Sequence, residues 1–392
     1  NISIGNTNVL YNTKNTIGGG QGNTVSNSLN TTLNGKTNVL NNVEEGLIIG
    51  DTNIVNNDKR PIVFGINNNI SGNSTDVLIL GRENIETSGT RTTMLGYKNT
   101  NTSAISSMTV GSENTLLNGE NSVLLGKSNQ QTSSYNVLAS GTNNTSLRNN
   151  DITVHGINNT VTDSNNSLIS GISNYELDGS ENILFGRNNT STASDYSMTF
   201  GKQNINNNAT GSASMGSSNK VTNSKNSLIY GNNSHIKDSN ASIAFGYKQD
   251  ISDNTMNSFV TGYGHKDYDG RQNALYGMEQ TVNDCSNTTV GGTSNTINTT
   301  RDSTIFGKTN VINNVIRTSI LGESNTVQDS TKDTTVSGRL NDISGADTNI
   351  VFGTSNNVTN GLNTMILGKS NVSLNGSQNA IIGDSNNVVN PT

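Results

Sequence analysis

The chain has 392 residues, no tryptophan, 4% aromatic and 13% charged residues, 41 glycines and a formal net charge of −6. That balance, with no lysine or arginine cluster, argues against a nucleic-acid or phosphate-binding groove. The single Cys285 excludes an intrachain disulfide framework and a cysteine metal motif, and no apolar run approaches the roughly 20 residues of a membrane-spanning helix, so no direct membrane insertion by this segment is expected.

The first element is already in phase with all that follow. NISIG ends on Gly5, and the same kind of word returns as NSVLLGKSN (121–129), NSLIYGNNS (226–234), DSTIFGKTN (302–310) and NTMILGKSN (363–371). Aligned on the glycine, the chain holds 26 anchors from Gly5 to Gly383, with 22 intervals of 15 residues and three of 16. A disordered polar chain would have a similar composition, but it has no reason to return its apolar residues at fixed phase. With the anchor as position 0, asparagine holds position +3 in 22 of 26 repeats, the exceptions being Ser234, Gln249, His265 and Gln280. An aliphatic residue is frequent at +5, as in Val25, Val55, Val161 and Ile297.

Two short strands separated by two polar turns fit each unit. Fifteen residues are too few for a helix pair or a leucine-rich repeat. They suit one coil of a two-sheeted, all-β solenoid, each strand pairing with its equivalent in the next coil. At about 4.8 Å per coil, such a rod would be roughly 120 Å long. The glycine is expected at a turn that needs positive φ or close backbone approach, and the asparagines are expected as a ladder along the surface. The three longer coils, which start at Gly65, Gly246 and Gly322, should bulge in the second turn or at the edge of the next strand.

Before each anchor, position −2 is apolar in 21 of 26 repeats and position −1 in 18. Position −1 carries Phe64, Leu125, Phe185, Phe200, Tyr230, Phe245, Phe306 and Phe352; the seventh phenylalanine, Phe259, stands at −3. Neighbouring residues of a strand face opposite ways. Either one of the two columns fills the coil and the other forms an outer stripe that a soluble monomer should not display, or strand distortion brings both into one crowded core; the periodicity favours the stripe. The stripe predicts self-association, and closed symmetry is the usual outcome.

Catalytic chemistry is not evident. GGGQGN (18–23) lacks the Gly-Lys-Ser/Thr ending of a phosphate loop. His155, His235 and His265 form no closely spaced ligand set. No metal, no cofactor and no enzymatic activity are expected.

The phased words NSVLLGKSN, NSLIYGNNS and ASIAFGYKQ (241–249) resemble the YadA-like head domains of bacterial trimeric autotransporter adhesins, over essentially all 392 residues. The resemblance implies a left-handed parallel β-roll of about 26 coils, 1–392 as one continuous head domain, and a homotrimer. It also implies attachment to host cells, and a bacterial cell-surface location through an outer-membrane anchor and stalk that, like a signal peptide, are not in this segment. The family's usual repeat is near 14 residues and rich in alanine. The Asn-rich, Ala-poor version here is similar to CEACAM-binding trimeric adhesins of fusobacteria, which makes a host glycoprotein of the CEACAM family the implied receptor. A structural fibre or phage tail-fibre segment, or a carbohydrate- or ice-binding solenoid, would use the same repeat; threonine, serine and asparagine mix too freely for an ice-binding array.

Residues 247–280 stand out. They hold four of the ten tyrosines, three of the breaks in the asparagine column and one of the long coils. Tyr247, Tyr263 and Tyr268 are candidate receptor anchors, with Lys248, His265, Lys266 and Arg271 as polar contacts around them; Tyr276, at −1, is read as structural. Tyr97, Tyr135, Tyr175 and Tyr196 offer the same kind of anchor elsewhere.

Overall fold

The computed structural model describes residues 1–389, among which there are strands, bridges and bends but no helix. Two compact units divide the chain, Asn1–Ala193 and Ser194–Thr392, and each consists of thirteen coils of an all-parallel β-solenoid. The coils match a left-handed parallel β-roll.

One coil describes the others. Val123–Lys127 is its long strand and Gln130–Thr132 its short strand. A third contact, missing from the two-strand expectation, is a single-residue bridge at position +9: Tyr135 bridges Glu120 in the preceding coil and Asn150 in the next. Register follows the period, with Val123 opposite Leu138, Leu124 opposite Ala139 and Gly126 opposite Gly141. Three corners join these pieces, at Ser128 (φ 55°), Ser133 (φ 50°) and Asn136 (φ 52°). A left-handed backbone is costly for most L-residues and least so for short polar side chains that bond locally. The corner columns are accordingly rich in Asn, Asp and Ser, which explains much of the composition.

The long coils follow the same logic. Each places two successive left-handed residues after the short strand, Gly72–Asn73, Asp253–Asn254 and Asp329–Ser330. The extra residue therefore enlarges the second turn, as expected, and the next strand recovers its phase.

The asparagine column is inside the coil, not on its surface. Asn129 is fully buried. Its backbone N–H donates to Asn114 Oδ1 (3.0 Å), and its Nδ2 donates to Asn114 Oδ1 (3.1 Å), Leu125 O (2.9 Å) and Gly141 O (3.0 Å). The amide is satisfied by its equivalent one coil back and by the glycine carbonyl one coil ahead, so burial leaves none of its groups without a partner. The anchor glycine completes the arrangement. A Cβ on Gly126 (φ 115°) would run into the Gly141 carbonyl oxygen, the atom that Asn129 bonds. Glycine at 0 and asparagine at +3 are thus one device.

Apolar columns fill the rest of the interior. Leu124 at −2 is fully buried, as are Leu116 and Val161 at +5. Three acids replace the aliphatic at +5: Glu86, Glu176 and Asp267, all fully buried and six coils apart each time. Each has glycine three residues on, at 89, 179 and 270, and a Cβ at Gly89 or Gly270 would strike the acid's oxygen. Each also accepts a bond from the residue six on: Thr92 Oγ1 to Glu86 (3.1 Å), Asn182 Nδ2 to Glu176 (3.1 Å) and Asn273 Nδ2 to Asp267 (3.0 Å). Among the described residues no cation is paired with Glu86 or Asp267. Burial pushes Glu86 up to about 8, so its neutral acid is the form the core favours at neutral pH, and it raises Asp267 in the same direction.

Gly126→Val is expected to lower stability by at least ~2 kcal/mol, since a β-branched residue meets both forbidden φ and a backbone collision. Lys127→Ser, at an exposed neighbour, should stay within about 0.5 kcal/mol of wild type. Urea unfolding followed by circular dichroism compares the two, and equal midpoints would remove the role assigned to Gly126.

Candidate functional site

Strand alternation turns Leu124 inward and sends Val123 and Leu125 out on one face. In each unit the long strands thus present two outward columns, −3 and −1. Tyr230 (59%), Phe306 and Phe352 (41% each) and Phe64 (36%) are exposed at −1, while Leu125, Phe185, Phe200 and Phe245 are half-buried on the same side. The second column was not read from the sequence. The signal was present, because Ile62, Val123, Ile183 and Ile350 at −3 share the parity of the −1 residues.

Aromatic rings concentrate on this face in the second unit. Tyr230, Phe245, Phe259 and Tyr276 occupy four successive coils and contact in series, with centroids 6.2, 5.9 and 5.9 Å apart and tilted planes. Such edge-biased contacts are favourable for quadrupolar rings. The parity argument explains why Phe259 joins the series from −3.

The residues singled out between 247 and 271 divide among four places. Tyr247 and Tyr263, at the ends of their long strands, stack at 5.3 Å with planes 22° apart; both are exposed, at 37% and 40%. The Lys248 ammonium lies 5.3 Å from the Tyr247 ring centre, within the range of a cation–π contact. Lys266 and Tyr268 belong to the short-strand sheet, in register with Asp250 and Ser252. There the Tyr268 hydroxyl donates to Asp250 Oδ2 (3.1 Å), and burial together with that carboxylate pushes its pKa up to about 12. Arg271 is in the bridge column, between Met256 and Ser286. Tyr247, Lys248 and Tyr263 are therefore a cluster that the other residues do not join.

His265 is fully buried, so it offers no outward contact. It stands in the asparagine column at the break between Asn219 and Asn295. Ser234 accepts from the Gln249 N–H (3.1 Å), Gln249 Oε1 from the His265 N–H (3.3 Å), His265 Nδ1 from the Gln280 N–H (3.2 Å) and Gln280 Oε1 from the Asn295 N–H (3.1 Å). Every substitute supplies the acceptor that the next coil requires. These bonds assign the neutral tautomer, with Nε2–H donating to Thr261 O (3.0 Å).

A second cation–aromatic cluster lies in the first unit. The Arg82 guanidinium and the Lys98 ammonium stand 4.7 and 5.1 Å from the Tyr97 ring centre, and Glu83 lies 3.2 Å from Arg82 and 3.7 Å from Lys98. Among the described residues no group of three His, Cys, Asp or Glu is placed to hold a metal ion. His155 faces outward, with Nδ1 2.8 Å from Ser140 Oγ. Cys285 is buried and its thiol pKa is pushed up to about 11 by desolvation, which holds it in the unreactive form. The geometry is that of a repetitive scaffold that offers surfaces. Compared with protein-family models and with curated proteins, the chain matches none.

Burial lowers the His265 pKa below its usual 6.5. The unfolded chain therefore takes up a proton below about pH 6.5 that the folded chain resists, and the stability gained from neutral His265 is full above that pH and lost as pH falls beneath it. His265→Asn should show less acid destabilisation than wild type, the two differing more at pH 5 than at pH 8 in thermal melts. A pH-independent difference would mean that the ring is not held neutral by its site.

Proposed function

We propose that the chain is the head of a homotrimeric bacterial surface adhesin with no catalytic step, held to the outer membrane by parts outside this segment. The observation that carries the reading is the outward apolar surface of the long strands. A stripe repeated coil after coil has the same spacing in every copy of the chain, so a second copy matches it continuously, in a way that a partner without the repeat would not. Closed threefold pairing buries the −3 and −1 columns on each subunit and leaves the strand ends at +1, the short-strand sheets and the corners free.

The receptor in this reading is a host cell-surface glycoprotein of the CEACAM family, as the resemblance to trimeric autotransporter heads implies. Stacked Tyr247 and Tyr263 with Lys248 are its proposed anchor, since exposed aromatic pairs beside a cation supply large contact area with little side-chain entropy to lose. Lys266, Tyr268 and Arg271 stand on other faces, and His265 supports the coil from within.

Multi-angle light scattering should give three times the 41.4 kDa chain mass at micromolar concentration. Leu125→Asp should break the assembly, whereas Lys127→Ser should not. A folded wild-type monomer would end the trimer reading. Tyr247→Ala/Tyr263→Ala should weaken binding of the trimer to a CEACAM ectodomain by about tenfold or more, with mass and melting unchanged. A trimer that binds no such ectodomain would leave a structural fibre as the better description.

A further inference from the structure

Between the corner at +7 and the bridge column at +9, the inward residue at +8 leaves a furrow that recurs in both units. Asn42, Glu44, Asn57 and Lys59 line it in the first, and Asn223, Lys225, Asp238 and Asn240 in the second. Where opposite charges sit next to one another they usually meet. Lys59 pairs with Glu44 at 3.1 Å, and at the corners Arg60–Asp76, Arg148–Asp163 and Arg317–Asp333 form two-pronged pairs across adjacent coils.

One stretch of the furrow is different. Around a cavity of about 240 Å³, Asp269 and Asp284 stand on one wall and Arg271 and Arg301 on the other, with Ser286 between the arginines. All four charged residues are exposed. Among the described residues neither arginine has a carboxylate within ion-pair distance, although acids stand across the furrow. The charges are sorted by wall and left unspent.

Spacing narrows the chemistry. Coils rise by about 4.8 Å, so Arg271 and Arg301, two coils apart, are roughly 10 Å apart along the furrow. Asp269 and Asp284, one coil apart, are roughly 5 Å apart and together favour hydrogen-bond donors. An extended β-linked glycan advances by close to one coil rise per sugar, so a carboxylate on every second sugar meets both arginines while ring hydroxyls face the aspartates. An extended peptide advances about 3.3 Å per residue and falls out of step with the coils. A nucleic-acid backbone would bring phosphates against Asp269 and Asp284.

We propose that the furrow bounded by Asp269, Arg271, Asp284 and Arg301 binds an acidic glycan in which uronic acids alternate with uncharged sugars. Guanidinium forks suit the carboxylates, and Ser286 offers a hydroxyl between them. The inference goes beyond the adhesin reading: it needs neither the trimer nor the Tyr247–Tyr263 pair, which lies on the long-strand face.

The test is isothermal titration of the full chain with a hyaluronan oligosaccharide, which alternates glucuronate with a neutral sugar. The intact chain should bind it. Arg271→Gln/Arg301→Gln should lose about tenfold or more in affinity with an unchanged melting curve, and Arg271→Lys/Arg301→Lys should retain part of it. The carboxyl-reduced oligosaccharide should bind as weakly to wild type as the intact one binds to the glutamine variant. No binding to wild type, equal affinity in the glutamine variant, equal affinity for the carboxyl-reduced sugar, or equal affinity for a poly-glutamate peptide would each overturn the proposal.

Discussion

The structure depends on one hydrogen-bonded contact made between successive coils: the buried asparagine at +3, bonded backward to its equivalent and forward to a glycine carbonyl. A coil whose corners are left-handed turns its backbone N–H groups inward, where water cannot reach them, and each such group left bare would cost about 1–3 kcal/mol. The asparagine amide removes that cost with a single residue type, since it carries two donors and an acceptor on a short stem. Asn144 shows the repeat of the pattern one coil on, with its N–H on Asn129 Oδ1 (3.1 Å) and its Nδ2 on Gly156 O (2.9 Å). Fixed glycine and fixed asparagine hold the interior constant, and the outward positions are free to vary.

That separation explains where function resides. In the second unit the column loses its asparagines from Ser234 to Gln280, yet an acceptor is supplied at every step. Over the same coils the outer surface gathers the ring series from Tyr230 to Tyr276 and the Tyr247–Tyr263 stack. The backbone tolerates the change inside because what each coil demands of its neighbour is one acceptor atom, which serine, glutamine and histidine all carry. Binding surfaces can therefore be altered coil by coil on a scaffold that does not shift.

Much of this fold was legible in the sequence, because solenoid register is written as a period. The opposed duties of Leu124 and Leu125 follow from alternation alone, and the crowded second turn of each long coil follows from the recovery of phase. The asparagine column was misplaced for a physical reason: composition rules put amides in water, and only repetition at a fixed interval lets an amide find its own copy as a partner. The same holds for the acids at 86, 176 and 267. Their glycine companions three residues on were visible, but a carboxyl in the core becomes credible only once its hydroxyl or amide donor is seen six residues on. The +9 bridge column carries residues as different as Lys14, Leu29 and Glu44, and no pattern marks it. Of the residues proposed together between 247 and 271, the sequence gives nearness along the chain, whereas the coil distributes them over separate faces.

The central claim is that buried asparagine satisfies the next coil's backbone. Native-state hydrogen exchange of Asn129→Leu, which keeps size and removes the amide, tests it most directly. The account predicts that the backbone N–H of Asn144 loses protection together with its neighbours in the adjoining coils, while coils several repeats away in the same unit keep theirs, since solenoid stability is largely nearest-neighbour. Undiminished protection at Asn144 would contradict it, because the N–H would then be satisfied by something other than the ladder.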